Sequence, residues 1–381
     1  MKVEQVYQLV NTITTEITGQ SDLVQEDLSN VVDVGAEIFN ATSVDNYVRS
    51  LVNHIGKVIF VNRAYSGGTP SVLMDGWEYG SVLEKIQADM PSAVENETWE
   101  LVDGQSYDPN VFHKPTVSAK FFNDRVTFEI DVSFTDRQVK ESFSNAAQLN
   151  GFLSMLYNEV DKSLTVKMDA LIMRTINNMI AETAHDGSPS RYINLLALYN
   201  AARGTNLLAA NALTDPEFIR YASYYIGLYV DRLSRISTLF NIGGKARFTP
   251  KDKLHIVMLS DFQAAALAYL QSDTYHDMYT ALPNAETVPY WQGSGTNYDF
   301  ASISKVDVIP SMTKEAVVVN GVLGIMFDRD ALGVSNLDRR VTAHYNPKAE
   351  FTNNFYKFEA GYFNDLNENF VVFYIGDPVN P

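Results

Sequence analysis

The stretch that decides the fold is GIMFDRDALGVSNLDRRVTAHYNPKAEFTNNFYKFEAGYFNDLNENFVVFYI (324–375). Its aromatic and β-branched runs are separated by turn-forming residues, and from residue 338 to 376 this pattern predicts strands alone. We expect turns at Asn346-Pro347, at Gly361 and at Asn364–Asn367, because Asn, Gly and Pro supply the backbone conformations that turns require. A strand-rich end that follows a helix-containing part indicates the α+β class.

A strand and a long helix precede this stretch. Apolar and polar residues alternate over 126–134, which predicts a strand with one buried face. Thr135 stands three residues before Gln138, a capping-box spacing, and apolar residues then recur every three or four positions, so we predict one helix over 138–184. A helix of about 40 residues is ~60 Å long. Gly151 is its one weak point.

The N-terminal part has a different character. Residues 3–18 and about 23–51 have helical spacing, and the sequence leaves open whether they form an arm on a neighbouring subunit or an ordinary helical subdomain. Residues 57–115 contain short strand runs and turn residues, including Gly67-Gly68, which predicts an extended β excursion. A loop of this length is functional or disordered, and Trp77, Trp99 and the strand signals favour an ordered, functional one.

A compact α/β unit is predicted over roughly 205–325, after a short helix over 190–202. Thr214-Asp215-Pro216-Glu217 supplies a capping residue and a first-turn Pro for a helix that continues to residue 240. KLHIVMLS (253–260) is typical of a buried strand, and an Ala-rich helix follows it. Residues 283–300 are predicted as a loop, with strands at 306–310 and 316–327.

Composition excludes several classes of function. The 381 residues are 46% hydrophobic and 20% charged, a globular composition with material for two or three domains. The net charge of −17 argues against gripping nucleic acid by its phosphates and against docking on an anionic membrane. Without Cys there are no disulfides, thiolate nucleophiles or Cys-ligated metals. We predict neither a signal peptide nor a membrane span, and therefore synthesis in a cytoplasm.

Two acidic clusters are candidates for chemistry. Asp328 and Asp330 could bind a metal or transfer protons, but a strand-end turn neutralised by Arg329 and by Arg339-Arg340 is the favoured interpretation. Asp365-Leu366-Asn367-Glu368 resembles a fragment of a cation-binding loop. It lacks the regular spacing of an EF-hand, so we predict a hairpin turn there.

The remaining motifs are weaker. Glu182 and His185 have the Glu-x-x-His spacing of bundle di-metal sites, but the sequence has no second copy, and a histidine at a helix C-terminus explains the pair. His276-Asp277 has no serine-elbow partner, and Gly293-Ser294-Gly295 is a lone Gly-x-Gly. A tyrosine-rich helix face is expected to pack in a core or interface instead of binding a ligand: Tyr221, Tyr224, Tyr225 and Tyr229. We therefore predict no catalytic, cofactor-binding or metal-binding residues.

The order of these parts resembles the HK97-type major capsid protein of tailed phages. Three segments are similar to capsid proteins of phages and prophages of Gram-positive bacteria: MDGWEYGSVLEKI (74–86), KFFNDRVTFEIDVSFTDRQVKESF (120–143) and the final stretch 324–375. The likeness of architecture covers nearly the whole chain, and the final stretch is its most specific part.

The resemblance implies a shell subunit with five parts: an N-arm (1–55), an E-loop (56–118), a P-domain (119–204) containing a spine helix (138–184), an A-domain (205–325) and P-domain strands at the end (326–381). It implies pentamers and hexamers in an icosahedral or prolate shell that encloses double-stranded DNA, with E-loops lying over neighbouring subunits. Such a protein is not an enzyme, is made in a host cytoplasm and becomes part of the virion.

Five residues are candidates for assembly under this resemblance: Gly67, Gly68, Trp77 and Trp99 in the E-loop, and Gly151 as a flex point of the spine helix. Because the chain starts almost directly with the arm, scaffolding is expected from a separate protein, with a portal protein and, as a further option, a decoration protein as other partners. Two alternatives stay open: an encapsulin-like cellular compartment with the same fold, and an acidic α/β enzyme.

Overall fold

The structure is a computed structural model, and it describes Asn11 and residues 72–74, 83–91, 93, 95, 100–110, 112–135, 146–271, 285–291 and 306–376. The chain divides into two compact units. The first comprises Met1–Gly76, Arg125–Arg174 and Val334–Gly361, and the second comprises Trp77–Asp124, Thr175–Gly333 and Tyr362–Pro381. The expected mixture of helices and strands is confirmed.

The first unit contains a four-stranded sheet with the order β1-β11-β12-β4. These strands are β1 (Leu73–Met74), β4 (Arg125–Thr135), β11 (Leu332–Asn346) and β12 (Phe351–Asn364). The predicted alternation is confirmed in β4, where Phe128 and Phe134 are buried while Thr127 and Glu129 are exposed. The rings of Phe128 and Phe358 lie 5.1 Å apart across β4 and β12, so cross-strand aromatic packing stabilises this face.

The turn expected at Gly361 is wrong. β12 and β4 pair without interruption from Phe351 opposite Thr135 to Gly361 opposite Arg125, so this glycine extends a ladder and does not end one. Burial of alternating β12 residues such as Tyr356 and Phe358 outweighs the turn preference of a single glycine. The turns after Asn346 and Asn364 are confirmed, because β11 and β12 end at those residues.

Helix α1 (Ala146–Asp186) has 41 residues and is therefore ~60 Å long. The predicted start at 138–145 lies outside the described residues, and the predicted end at 184 is confirmed within two residues. Gly151 lies inside the helix. Gly187, with φ +64°, follows the last turn and its N–H donates to the carbonyl of Thr183, which ends the helix in the left-handed conformation that favours glycine.

The second unit contains a five-stranded sheet with the order β5-β13-β10-β6-β7. Its strands are β5 (Tyr192–Asn194), β6 (Leu254–Leu259), β7 (Glu286–Val288), β10 (Val322–Asp328) and β13 (Phe370–Tyr374). All seven residues of β10 are buried, as are the first four of β13, which is typical of central strands covered on both faces.

Helices α2 (Leu195–Arg203), α3 (Ala209–Ala212), α4 (Pro216–Leu233) and α5 (Ser260–Gln271) belong to the same unit. The side chain of Asp215 accepts from the N–H of Phe218, which confirms the predicted cap of α4. Two boundaries were wrong. The helix expected over 190–202 starts only at Leu195, because residues 192–194 form β5, which pairs with β13. The helix expected to reach 240 ends at Leu233, because Ser237 pairs with Arg247 across a loop.

Two small sheets complete the second unit. Strands β8 (Val306–Val308) and β9 (Val317–Val319) pair antiparallel, as do β2 (Leu83–Ala88) and β3 (Val117–Phe122). The 283–300 segment, predicted as a loop, contains β7, whose three residues pair in parallel with β6.

Candidate assembly site on the β2–β3 hairpin

The β2–β3 hairpin has an unusual distribution of side chains. Its inward positions, which are half-buried against the second unit, include Lys85 and Lys120, which lie directly opposite each other. Its outward positions include Ile86 and Phe121, which are 66% and 63% exposed. Two lysines therefore face the rest of the second unit while large apolar side chains stand on the exposed face, an arrangement unlike that of a hairpin whose outward face is wholly polar.

The segment between the two strands continues this exposed surface. In its described residues, large apolar side chains stand in solvent: Met90, Leu101, Val102, Tyr107 and Phe112, the last being 83% exposed. Exposed large apolar side chains that are this frequent in one segment are candidates for burial against another molecule.

A buried carboxylate holds the inward face of the hairpin. The side chain of Asp365, which follows β12, is 0% exposed and receives the ammonium groups of both opposed lysines. Lys85 Nζ lies 2.9 Å from Asp365 Oδ2, and Lys120 Nζ lies 2.9 Å from Oδ1. The N–H of Asn367 also donates to Oδ1 at 3.1 Å. Asp365 thus bridges two cations that would otherwise repel each other across the strands.

A second carboxylate, Glu368, extends this contact along β2. Its Oε1 accepts from Nε2 of Gln87 at 2.6 Å and lies 3.7 Å from Lys85 Nζ, and its Oε2 lies 3.6 Å from Nε of Arg247. Arg247 also donates to the side-chain oxygen of Gln87. One position further along the inward face, Asp89 receives Lys245 Nζ at 2.8 Å. We call these eight residues the root cluster: Lys85, Gln87, Asp89, Lys120, Lys245, Arg247, Asp365 and Glu368.

The pKa values of Asp365 and Glu368 are shifted in opposite directions from their ordinary values. Burial acts to raise the pKa of Asp365, but the charge and hydrogen bond of Lys85, with Lys120 and the N–H of Asn367, outweigh it, so this pKa lies below its ordinary value. Burial raises the pKa of Glu368, and Lys85 and Arg247 offset only part of the rise, to which the charge of Asp365 adds.

Aromatic contacts support the same end of the hairpin. The ring of Phe122 lies 5.1 Å from that of Phe363, and Lys85 Nζ lies 5.6 Å from the centre of the Phe363 ring. Lys85 Nζ also donates to the carbonyl of Asp330 at 2.7 Å. Lys85 therefore contacts a carboxylate, a backbone carbonyl and an aromatic ring of the rest of the second unit.

The acidic candidates Asp328 and Asp330 lie at a turn of the second unit. The buried Asp328 accepts from the N–H of Asp330 at 2.9 Å, which confirms a turn after β10. Asp330 also pairs with Lys253 at 3.3 Å, a countercharge that the sequence analysis did not name. Within the described part of the chain, no group of three or more acidic or histidine residues could hold a metal ion.

Glu182 and His185 hold a turn of the same unit. The buried carboxylate of Glu182 accepts from the N–H of Met312 at 2.8 Å, and His185 Nε2 lies 3.2 Å from Glu315 Oε2. Their spacing places both on one side of α1, where they bind the turn between β8 and β9. The Glu-x-x-His pattern therefore reflects this contact.

The tyrosines of α4 stack at intervals of four residues, as expected for packing. The ring centres of Tyr221 and Tyr225 are 5.9 Å apart, and those of Tyr225 and Tyr229 are 5.6 Å apart. The guanidinium of Arg232 lies 4.9 Å from the Tyr229 ring, which meets Phe373 of β13 edge-on at 5.3 Å. The predicted core role is confirmed for the buried Tyr229, whereas Tyr224 is exposed.

Several predicted positions lie outside the described residues: Gly67, Gly68, Trp77, Trp99, His276, Asp277 and Gly293–Gly295. The sequence analysis missed the root cluster, because Lys85 and Asp365 are separated by 280 positions. A signal was available in part. Lys85, Gln87 and Asp89 occur at the period of a strand and mark a polar face, but nothing in the sequence identifies the turn at 365–368 as its partner.

Solved phage capsid structures share this fold. The capsid structure of Staphylococcus phage Andhra is similar with a TM-score of 0.53 and 10% identity, over 83% of this chain and 86% of that one. A chain in the structure of the head fiber and inner core protein gp22 of native bacteriophage P68 is similar with a TM-score of 0.51 and 7% identity, over 83% and 86%. At such identities the likeness shows the fold alone, and that fold is the one of a phage capsid protein.

The family follows from the sequence. The sequence model of the Phi29-like phage major capsid protein family matches residues 10–374, so this chain belongs to that family. The protein is thus a major capsid protein, a subunit of a phage shell. This result favours the capsid interpretation over the encapsulin-like compartment and the enzyme. No curated protein matches the chain. Among the described residues, no helix is long and apolar enough to cross a membrane.

Proposed function

We propose that this shell subunit has the HK97-type architecture and that the β2–β3 hairpin and the segment between its strands are the E-loop, which lies on a neighbouring subunit. In this proposal the N-arm is 1–55, the E-loop 56–118, the P-domain 119–204 and 326–381, and the A-domain 205–325. The three segments named in the sequence analysis support this mapping and a Gram-positive host.

The observation that carries the proposal is the outward apolar face of the hairpin. Ile86, Val117 and Phe121 are each more than half exposed. Full burial of such side chains stabilises by ~1.5–3 kcal/mol each, so covering what is exposed here contributes about 1–2 kcal/mol per residue. A second copy of the chain is a suitable occupant, because a shell places identical subunits beside one another in every direction.

The proposal includes the partners that a shell requires. The subunit forms pentamers and hexamers, assembles in the host cytoplasm on a separate scaffolding protein, and meets a portal protein in the finished head, with a decoration protein as a further option. The net charge of −17 supports enclosure of DNA without sequence-specific binding, since a shell surface of this charge does not hold phosphates. In this role the protein carries no catalytic activity.

The test is assembly of a chain whose outward face has been made polar. Ile86→Thr/Phe121→Thr keeps strand propensity while removing apolar area, and Val318→Thr, an exposed apolar residue of β9, is the matched control. We expect the wild type and the control to form shells or free rings by negative-stain electron microscopy and size-exclusion chromatography. The double variant should keep the wild-type circular dichroism spectrum but remain unassembled. Shells of wild-type yield from the double variant would overturn the proposal.

A further inference from the structure

We propose that the root cluster positions the hairpin on its own subunit before any neighbour binds, with Asp365 as its central positioning residue. For its consequence in assembly this inference rests on the proposed function, but the contacts that carry it lie entirely within the second unit.

The first step concerns the opposed lysines. Lys85 and Lys120 are directly opposite in the ladder, and like charges in such a pair destabilise a hairpin. Each contacts a different oxygen of Asp365, whose side chain is fully buried. The carboxylate of Asp365 therefore links β2 to β3 and links both strands to the turn after β12. Removing its charge weakens both connections together.

The second step concerns register. Three successive inward positions of the β2 segment meet partners of matching character: Lys85 meets Asp365 and Glu368, Gln87 meets Glu368 and Arg247, and Asp89 meets Lys245. Along β2, the charge of these partners changes from negative, at Asp365 and Glu368, to positive, at Arg247 and Lys245. A hairpin shifted by one inward position would place Lys85 against Arg247, and it would break the ion pair between Asp89 and Lys245. The pattern thus fixes the position and direction of the hairpin as well as its attachment.

The third step concerns what this does in assembly. A small two-stranded hairpin is marginally stable alone in water, and a flexible segment loses conformational entropy when it binds. A hairpin already held in one direction has lost that entropy before the encounter. The apolar outward face is then presented to a neighbour at a defined angle, so the root cluster acts as an alignment device for the shell.

The experiment measures hydrogen–deuterium exchange on full-length chains kept unassembled at low concentration. Asp365→Asn preserves the shape of the side chain, and Asp103→Asn, an exposed carboxylate in the segment between β2 and β3, is the matched control. We expect exchange of peptides covering 83–88 and 117–122 to rise by about 10-fold or more in Asp365→Asn and to be unchanged in the control. Peptides covering β10 and β13 should keep their wild-type protection.

A second variant separates loss of alignment from loss of folding. Asp365→Asn/Lys120→Met removes one of the two cations left facing each other, and we expect it to recover part of the lost protection. If Asp365→Asn does not fold, Lys120→Gln, whose parent side chain is 40% exposed, should still give about 3-fold faster exchange in the same peptides. The inference would be overturned if folded Asp365→Asn showed wild-type exchange at β2 and β3. If Asp365→Asn does not fold, wild-type exchange at these strands in Lys120→Gln would overturn it.

The two proposals fail separately. Wild-type exchange in Asp365→Asn together with lost assembly in Ile86→Thr/Phe121→Thr would overturn the alignment device alone. Fast hairpin exchange in Asp365→Asn together with normal assembly of the double variant would support positioning of the hairpin by the root cluster, but it would overturn the E-loop assignment and the role of this positioning in assembly.

Discussion

Replacing Gly321 with Ala tests how β9, β10 and the end of β13 are held together. Gly321 lies between β9 and β10 with φ +70°, and its carbonyl accepts from the N–H of Ile375, at 2.8 Å, just after β13. A Cβ at this position would lie 2.2 Å from the carbonyl oxygen of Ile375. That oxygen is backbone, so it cannot move without disturbing the strand.

The expected loss of stability combines four contributions. A left-handed conformation costs a non-glycine residue ~1–2 kcal/mol, and Ala recovers ~0.4–1 kcal/mol by restricting the unfolded chain. The clash adds ~1–3 kcal/mol, the usual cost of overpacking. Displacing the strand also weakens the Ile375–Gly321 hydrogen bond, which contributes ~0.5–1.5 kcal/mol. We expect Gly321→Ala to lower the free energy of unfolding of the second unit by about 2–4 kcal/mol.

The matched control is Gly204→Ala in the same unit. Gly204 caps α2 with φ +66°, and a Cβ there would meet nothing within 4 Å. Gly204→Ala should therefore lose only the conformational cost of the left-handed backbone less the gain from restricting the unfolded chain, about 1 kcal/mol or less. Urea unfolding followed by tryptophan fluorescence, with the buried Trp291 as one reporter in this unit, measures both. Equal loss of stability in the two variants would refute the argument that the approach of Ile375 dominates.

Three further predictions concern pH, a buried hydrogen bond and the long helix. On acidification from neutral pH, Glu368 should take up a proton first, because its folded pKa is raised and its folded state favours the neutral form. Asp365, whose pKa is lowered, should keep contributing to the free energy of unfolding until the pH falls below about 4, and that contribution should be lost as the pH falls further. Carboxyl ¹³C NMR titration measures the order in which the two groups take up protons, and simultaneous protonation would contradict the prediction. Trp291→Phe removes the donor that lies 3.0 Å from the carbonyl of Val322 and should cost about 1–3 kcal/mol in urea unfolding; a wild-type midpoint would contradict this. Gly151→Ala should stabilise α1 by ~0.5–1 kcal/mol and alter the yield or geometry of shells in electron micrographs, and unchanged shells would rule out Gly151 as a flex point.

Local patterns predicted the parts of the fold that depend on neighbouring residues. The alternation over 126–134 gave β4 within one residue at each end, and Asp215-Pro216 identified the start of α4. The strand at 253–260 and the helix after it were also predicted, because a short apolar run followed by an Ala-rich segment is a local signal.

Contacts between distant residues could not be predicted in this way. Gly361 continues a strand because eleven pairs with β4 outweigh its own preference. Residues 192–194 form β5 because β13, far along the chain, supplies the partner. The root cluster is the clearest case: the inward lysines of the hairpin look like an ordinary solvated face until the turn at 365–368 is placed beside them.

The place of β13 in its sheet has a consequence for synthesis on the ribosome. β13 lies between β5 and β10, yet it is made about 180 residues after β5. At ~5–20 residues per second, the β5 segment waits about 10–35 s for its partner strand. A nascent chain translated only as far as residue 369 cannot close this sheet, and it also has only just acquired Asp365 and Glu368. The five-stranded sheet can therefore close only after residues 370–374 have been translated, so β5 and one side of β10 remain unpaired until synthesis is almost through the described part of the chain.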